Sequence, residues 1–172
     1  MENKVISLAG ITVGVLLIGA VYVVLEYQED AIVNANIKRF DTLDFDAFSH
    51  QDWELFNDIH SEDVVVVFPD GRKTVGIEQH DKDIAAMFEY APDMRVTSHP
   101  IKVGSGDWTA VTGVIEGTFT QPMVLPDGTA IPPTGKSFKI PMATFAKWND
   151  GKIIEENLFW DTSAMMAQMG IT

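Results

Sequence analysis

The hydrophobic period of this chain changes near Asp93, and that change restricts the architecture more than any other feature. Before it, apolar residues recur at three- and four-residue spacing; after it they alternate, which is helix chemistry followed by strand chemistry. Trp53, Phe56 and Ile59, with Leu55 beside them, predict a helix over about Gln51–Ile59. The β-branched run Val64–Phe68 then predicts a strand, closed by the turn residues Pro69, Asp70 and Gly71. Ile77, Ile84, Met87 and Phe88 place a second helix over Ile77–Tyr90, ended by Ala91 and Pro92. Beyond Asp93 the strands fall at Arg95–Val103, Trp108–Thr120, Ser137–Trp148 and Lys152–Asp161, with Gly104–Asp107 and Asn149–Gly151 as hairpin turns. The intervening QPMVLPDGTAIPPTGK, rich in Pro and Gly, reads as a long loop over one end of the sheet, and Ser163–Met169 as a short Met-rich helix. Helices first and an antiparallel meander second is the α+β order, and one helix layer across a bent sheet encloses a cavity.

Upstream of this pattern, Val5–Leu25 holds 21 residues without a charge. As a helix they would cover about 31 Å, enough to cross a bilayer. The stretch exceeds the apolar core of a secretory signal, and no small-x-small cleavage motif follows it before Glu26, so an uncleaved anchor is favoured over a cleaved signal or a buried core helix. Lys4 before the span and Glu26, Glu29 and Asp30 after it place the N-terminus inside and the remainder outside. Three parts result: residues 1–26 as anchor, 27–50 as a mostly polar helical connection with Ile32, Ile37 and Phe40 as a sparse apolar stripe, and 51–172 as a single folded domain. A net charge of −13 repels a polyphosphate backbone, so nucleic acid is not expected as a partner. Without a cysteine, disulfides, thiolate catalysis and zinc–thiolate sites are excluded.

The blocks GTFTQPM, IPPTGKSF, WNDGKIIEENLFWD and AMMAQMGI resemble, in order and spacing, the C-terminal half of the SnoaL-like polyketide and ester cyclases. Upstream, DWELFNDIHSEDVVVVFPDG, VGIEQHDKD and APDMRVTSHPIKVGSGDWTAVTG are similar to the same group, so the resemblance covers about Gln51–Thr172. It implies the nuclear-transport-factor-2-like fold, a cone-shaped curved antiparallel sheet covered by helices. It also implies ring closure by an intramolecular aldol step with no metal or organic cofactor. The scaffold equally serves isomerases, hydrolases, dehydratases and binding domains that do no chemistry. Homodimerisation through the convex sheet is a further implication of the resemblance.

Aldol chemistry needs a carboxylate base of raised pKa and a donor for the developing oxyanion. The resemblance places the carboxylate at Asp161, where Phe159 and Trp160 would partly desolvate it. The plainer reading of Asp161 is an N-cap for the tail helix. His80 falls on the apolar face of the second helix, and His99 shares a strand face with Ile101 and Val103; both are candidate partners of the base. His60 reads as a helix C-terminal cap. Glu155, Asn157, Phe159 and Asp161 alternate along the last strand and line the pocket if their side is concave, which leaves Glu156 on a solvated edge. Trp108 is a candidate aromatic wall for a flat ligand. Many cyclases of the group carry a histidine in the block that here reads Gly117, Thr118, Phe119, Thr120, and Phe119 cannot transfer a proton. Phe119 is therefore assigned to substrate binding. The four histidines lie far apart in sequence, and no metal site is expected. The expected function is a cofactor-independent acid/base enzyme acting on a small hydrophobic carbonyl compound. A membrane-anchored cone that binds a ligand or docks on a complex without catalysis remains the alternative.

Overall fold

A computed structural model describes residues 8–125 and 127–171, with side chains from Val21 onward. Helix α1, Leu8–Thr42, runs directly into a π-helical stretch, Leu43–Phe48. The expected span Val5–Leu25 begins outside the described residues, and its side chains up to Ala20 also lie outside them. Among the described residues no helix is long and apolar enough to cross a membrane. The later turns of α1 are more than a connection. Phe40, Leu43, Ala47 and Phe48 are buried in the same core as the sheet. The wider π winding turns Leu43, Ala47 and Phe48 inward together, while the Ser49 amide bonds back to the Asp44 carbonyl.

Helix α2, Trp53–Ile59, is capped by Asp52, whose side chain accepts from the Leu55 amide. Strand β1, His60–Val67, starts at once and folds back on β2, Lys73–Val75. Helix α3 spans Ile77–Tyr90 as expected. The predicted strand Arg95–Val103 is divided into β3, Arg95–Val96, and β4, Ile101–Ser105. Pro100, which has no amide hydrogen for a sheet ladder, sits in the break beside His99. Ile101 and Val103 are exposed whereas His99 is buried, so the expected shared strand face does not exist. The long strands follow: β5, Trp108–Thr118, then β8, Ser137–Asn149, and β9, Lys152–Trp160. Within the expected loop lies a two-stranded ribbon, β6 Met123–Val124 with β7 Ala130–Ile131. Helix α4, Thr162–Met169, closes the described chain and ends on Gly170 in the left-handed region, φ 77°.

The strand order is β2-β1-β9-β8-β5-β3, with β4 also on β5. Here the expectation of an antiparallel sheet needs correction, because β1 and β9 are parallel. Between β1 and the meander the chain makes β2 and α3, a crossover that brings the meander's last strand alongside β1 in the same direction. The result is an α+β cone with a curved, mixed sheet. Its inner face carries Val111 and Ile115 of β5, Phe138, Ile140 and Met142 of β8, and Ile153 and Leu158 of β9, all buried. Gly113 lets the layers approach: a Cβ there would lie 2.7 Å from Met142 Cε and 3.4 Å from His99 Cδ2.

Candidate functional site

Two buried polar clusters stand on the inner side of the cone. In the first, His99 is clamped between two acids, with Nδ1 2.9 Å from Asp41 Oδ1 and Nε2 2.8 Å from Asp44 Oδ2. Lys102 reaches Asp41 Oδ2 at 2.8 Å, so two carboxylates face two cations. The imidazole packs against Phe45 and edge-on to Phe40, with centroids at 4.6 and 5.9 Å. Burial alone would lower the His99 pKa, but hydrogen bonds and charge from Asp44 and Asp41 outweigh it and hold the ring above its usual range. Asp44 is pushed up by burial, which its bond to His99 only partly offsets. For Asp41 burial is outweighed by Lys102 and His99, and its pKa falls.

In the second cluster, His60 from the start of β1, His80 from α3 and Glu156 from β9 converge. Glu156 Oε2 lies 3.3 Å from His80 Nε2 and 3.9 Å from His60 Nε2. These are close approaches rather than aligned hydrogen bonds, since both Nε2 atoms and His80 Nδ1 lack a hydrogen-bond partner. Burial would raise the Glu156 pKa, yet the two imidazoles beside it bring it down to about 2. His60 Nδ1 meets the Phe56 carbonyl at 2.8 Å, which satisfies one of the last carbonyls of α2 as a cap would.

Asp44, His80, Thr144 and Glu156 line one cavity whose apolar wall includes Phe48, Ile84, Met87, Met142, Leu158 and Trp160. Its volume is about 50 Å³. That holds a few waters but no ring system. The flexible thioethers of Met87 and Met142 are the parts of the wall that yield most readily to a larger guest.

Of the candidates from sequence, His80 stands in the cavity wall, and His99 supports it through Asp44. Asp161 does not join them. It is exposed, its Oδ1 accepts from the Ala164 amide at 2.9 Å as the N-cap of α4, and it borders an outer depression. Trp160 and Met87 line both that depression and the cavity. Glu155, Asn157 and Phe159 do alternate together, but on the convex side, where Phe159 is 51% exposed against Phe145. The concave side belongs to Glu156, Leu158 and Trp160, so the solvated-edge reading of Glu156 is overturned. Trp108 lies on the outer face under Lys147, whose Nζ is 5.9 Å from its ring centroid. Phe119 is wholly buried, edge-on to Tyr90, and does not line the cavity. The histidines show no close ligand spacing in sequence, but the fold brings ligand atoms of His60, His80 and Glu156 within 4.8 Å of one another.

The sequence profile of the SnoaL-like polyketide cyclases matches residues 40–169. The chain belongs to that family. Its match begins at Phe40, where α1 enters the core, earlier than the Gln51 suggested by local motifs. Among solved structures, a proposed SnoaL-like polyketide cyclase from Jannaschia sp. CCS1 is similar at 25% identity, covering 81% of this chain and 94% of its own, with a TM-score of 0.70. IdmH, a proposed polyketide cyclase from Streptomyces antibioticus, is similar at 26% identity, 78% and 98% coverage and a TM-score of 0.66. AclR, a proposed hydroxylase from Streptomyces galilaeus, shares the fold at 14% identity, 85% and 83% coverage and a TM-score of 0.62. No curated protein matches the chain. Family membership points to chemistry of the cyclase or isomerase type, in which side chains move protons and no cofactor is required.

Proposed function

We propose that this SnoaL-like chain is an acid/base enzyme of cyclase or isomerase type that acts on an apolar carbonyl compound in the enclosed cavity. Asp44 is the base. The observation that carries this reading is a carboxylate in an apolar cavity wall, raised in pKa by burial and hydrogen-bonded from behind by His99. Asp44 removes the proton next to a carbonyl, and the enolate forms a carbon–carbon bond to a second carbonyl. The resulting alkoxide then takes the proton back. His80 and Thr144 are the cavity-lining groups placed to donate to the oxygen on which charge develops. In this role Asp44 replaces Asp161. Turnover of small acyclic diketide surrogates by the purified protein tests it: Asp44→Asn should lower kcat/KM by about 10²- to 10⁴-fold. Unchanged turnover in a folded variant would overturn the assignment.

The uncharged stretch Val5–Leu25 supports attachment to a membrane with the cone outside. Exposed Ile101, Val103, Phe145 and Phe159 support pairing of two copies through the sheet. The same apolar face and the small free volume of the cavity favour a second reading, a cone that docks without catalysis. Mass spectrometry of the purified protein separates the two, since retention of a carbonyl ligand supports the cavity and its absence together with inert surrogates supports docking.

A further inference from the structure

We propose that His60, His80 and Glu156 hold one divalent transition-metal ion of the zinc class, with its open position toward the cavity.

The argument starts from the tautomer of His60. Its Nδ1 points at the Phe56 carbonyl, 2.8 Å away, and must carry the hydrogen. That leaves Nε2 as the ring atom able to take a ligand, and it is buried without a partner. His80 is 1% exposed, and neither of its ring nitrogens has a partner. Its Nε2 faces Glu156 Oε2 at 3.3 Å without an aligned hydrogen bond, and a metal held by both would take up that nitrogen. Between these nitrogens stands Glu156, 5% exposed, with Oε2 facing both rings. A single cation collects both orphaned Nε2 atoms and the carboxylate.

The geometry fits. Ligands of a tetrahedral zinc ion sit about 3.4 Å apart. His80 Nε2 to Glu156 Oε2 is 3.3 Å, and His60 Nε2 to the same oxygen is 3.9 Å, a few tenths of an ångström of side-chain adjustment away. The bond from His60 Nδ1–H to a backbone carbonyl is the outer-shell contact that orients metal-bound imidazoles. Phe56 lies against both rings, with centroids 4.5 and 5.2 Å away, and keeps water from that side. His80 and Glu156 line the cavity, so a vacant coordination position would open there. Two imidazoles and one carboxylate leave such a position free for a substrate oxygen. In function the proposal rests on the acid/base reading of this cavity: with His80 as its ligand, the ion would take over from that ring the stabilisation of the developing charge, while Thr144 and Asp44 keep their roles.

The test uses the full chain, freed of metal and titrated with Zn²⁺ or Co²⁺ alone. Calorimetry should give one equivalent. The Co²⁺ form should show the intense visible bands of four- or five-fold coordination, and the zinc absorption edge should fit two imidazoles and oxygen. His80→Gln and Glu156→Gln should each weaken binding by about 100-fold or more, beyond what loss of an outer-shell partner costs. Glu155→Gln, on the outer face of the same strand, should leave it unchanged. The proposal is overturned if the folded wild type shows no saturable binding, if the variants bind as well as wild type, or if the edge spectrum contains no imidazole. Asp44→Asn separates the two claims, since it should abolish turnover while binding the metal normally. Turnover without metal binding would refute only the ion, and metal binding without turnover only the reaction.

Discussion

The clamp around His99 makes the acid/base half of the site measurable without a substrate. Replacing His99 with Leu removes the cation between Asp41 and Asp44 and leaves Asp44, 13% exposed, without its hydrogen bond. Breaking a buried pair in this way costs about 3–5 kcal/mol. For a chain of this size, about 2–4 °C of Tm accompanies each kcal/mol, so thermal unfolding near pH 7 should fall by roughly 6–20 °C. Because Asp44 can escape by taking up a proton, the deficit should shrink in acid towards the about 1–3 kcal/mol of a lost hydrogen bond. The sign in the wild type follows from linkage. His99 has a raised pKa when folded, so its contribution is complete below its unfolded value of 6.5 and is lost as pH climbs through the folded one. Asp44 acts in the same sense, because its folded pKa also lies above its unfolded 3.8. Urea unfolding followed by circular dichroism should therefore show wild-type stability declining on the alkaline side, with the variant lacking that His99 step. Parallel profiles for the two proteins across about pH 5–9, or a cost below about 1 kcal/mol near neutrality, would refute the clamp as described.

Other residues separate structural from chemical roles. Asp161→Ala removes the N-cap of α4 and should cost about 1 kcal/mol in denaturant unfolding while leaving turnover unaltered. Phe119→His, which restores the histidine common in the family, should yield no gain in turnover, because the position is walled off from the cavity. It should destabilise the protein by about 1–3 kcal/mol, read as a lower urea midpoint, for want of a hydrogen-bond partner among apolar neighbours.

The helix Ile77–Tyr90 could be read from sequence because its apolar residues keep a helical period, and the same period turned His80 inward. The long strands were legible for the matching reason, each alternating between core and surface. What alternation does not fix is which side is concave. Along β9 either Glu155, Asn157 and Phe159 or Glu156, Leu158 and Trp160 could have faced the core. The motif FWD drew attention to the first set, although Leu158 and Trp160 make the second the more apolar. Asp44 escaped notice because it lies in the segment read as a mostly polar connection. Its signal was the apolar company of Leu43, Ala47 and Phe48, whose spacing suits the wide π turn better than an ordinary helix. His60, His80 and Glu156 share no local spacing at all, and only the fold brings them together.

The parallel seam between β1 and β9 also sets a schedule for assembly. β1 can pair early with its neighbour β2, but its other edge stays open until a partner from about ninety residues further along arrives. That partner carries Glu156, so the bottom of the cavity is installed after all other strands have been synthesised. Until then, an unsatisfied ladder edge and a half-built apolar bowl are presented to the surroundings, and slow synthesis or truncation before Lys152 becomes an aggregation hazard rather than a simple loss of activity.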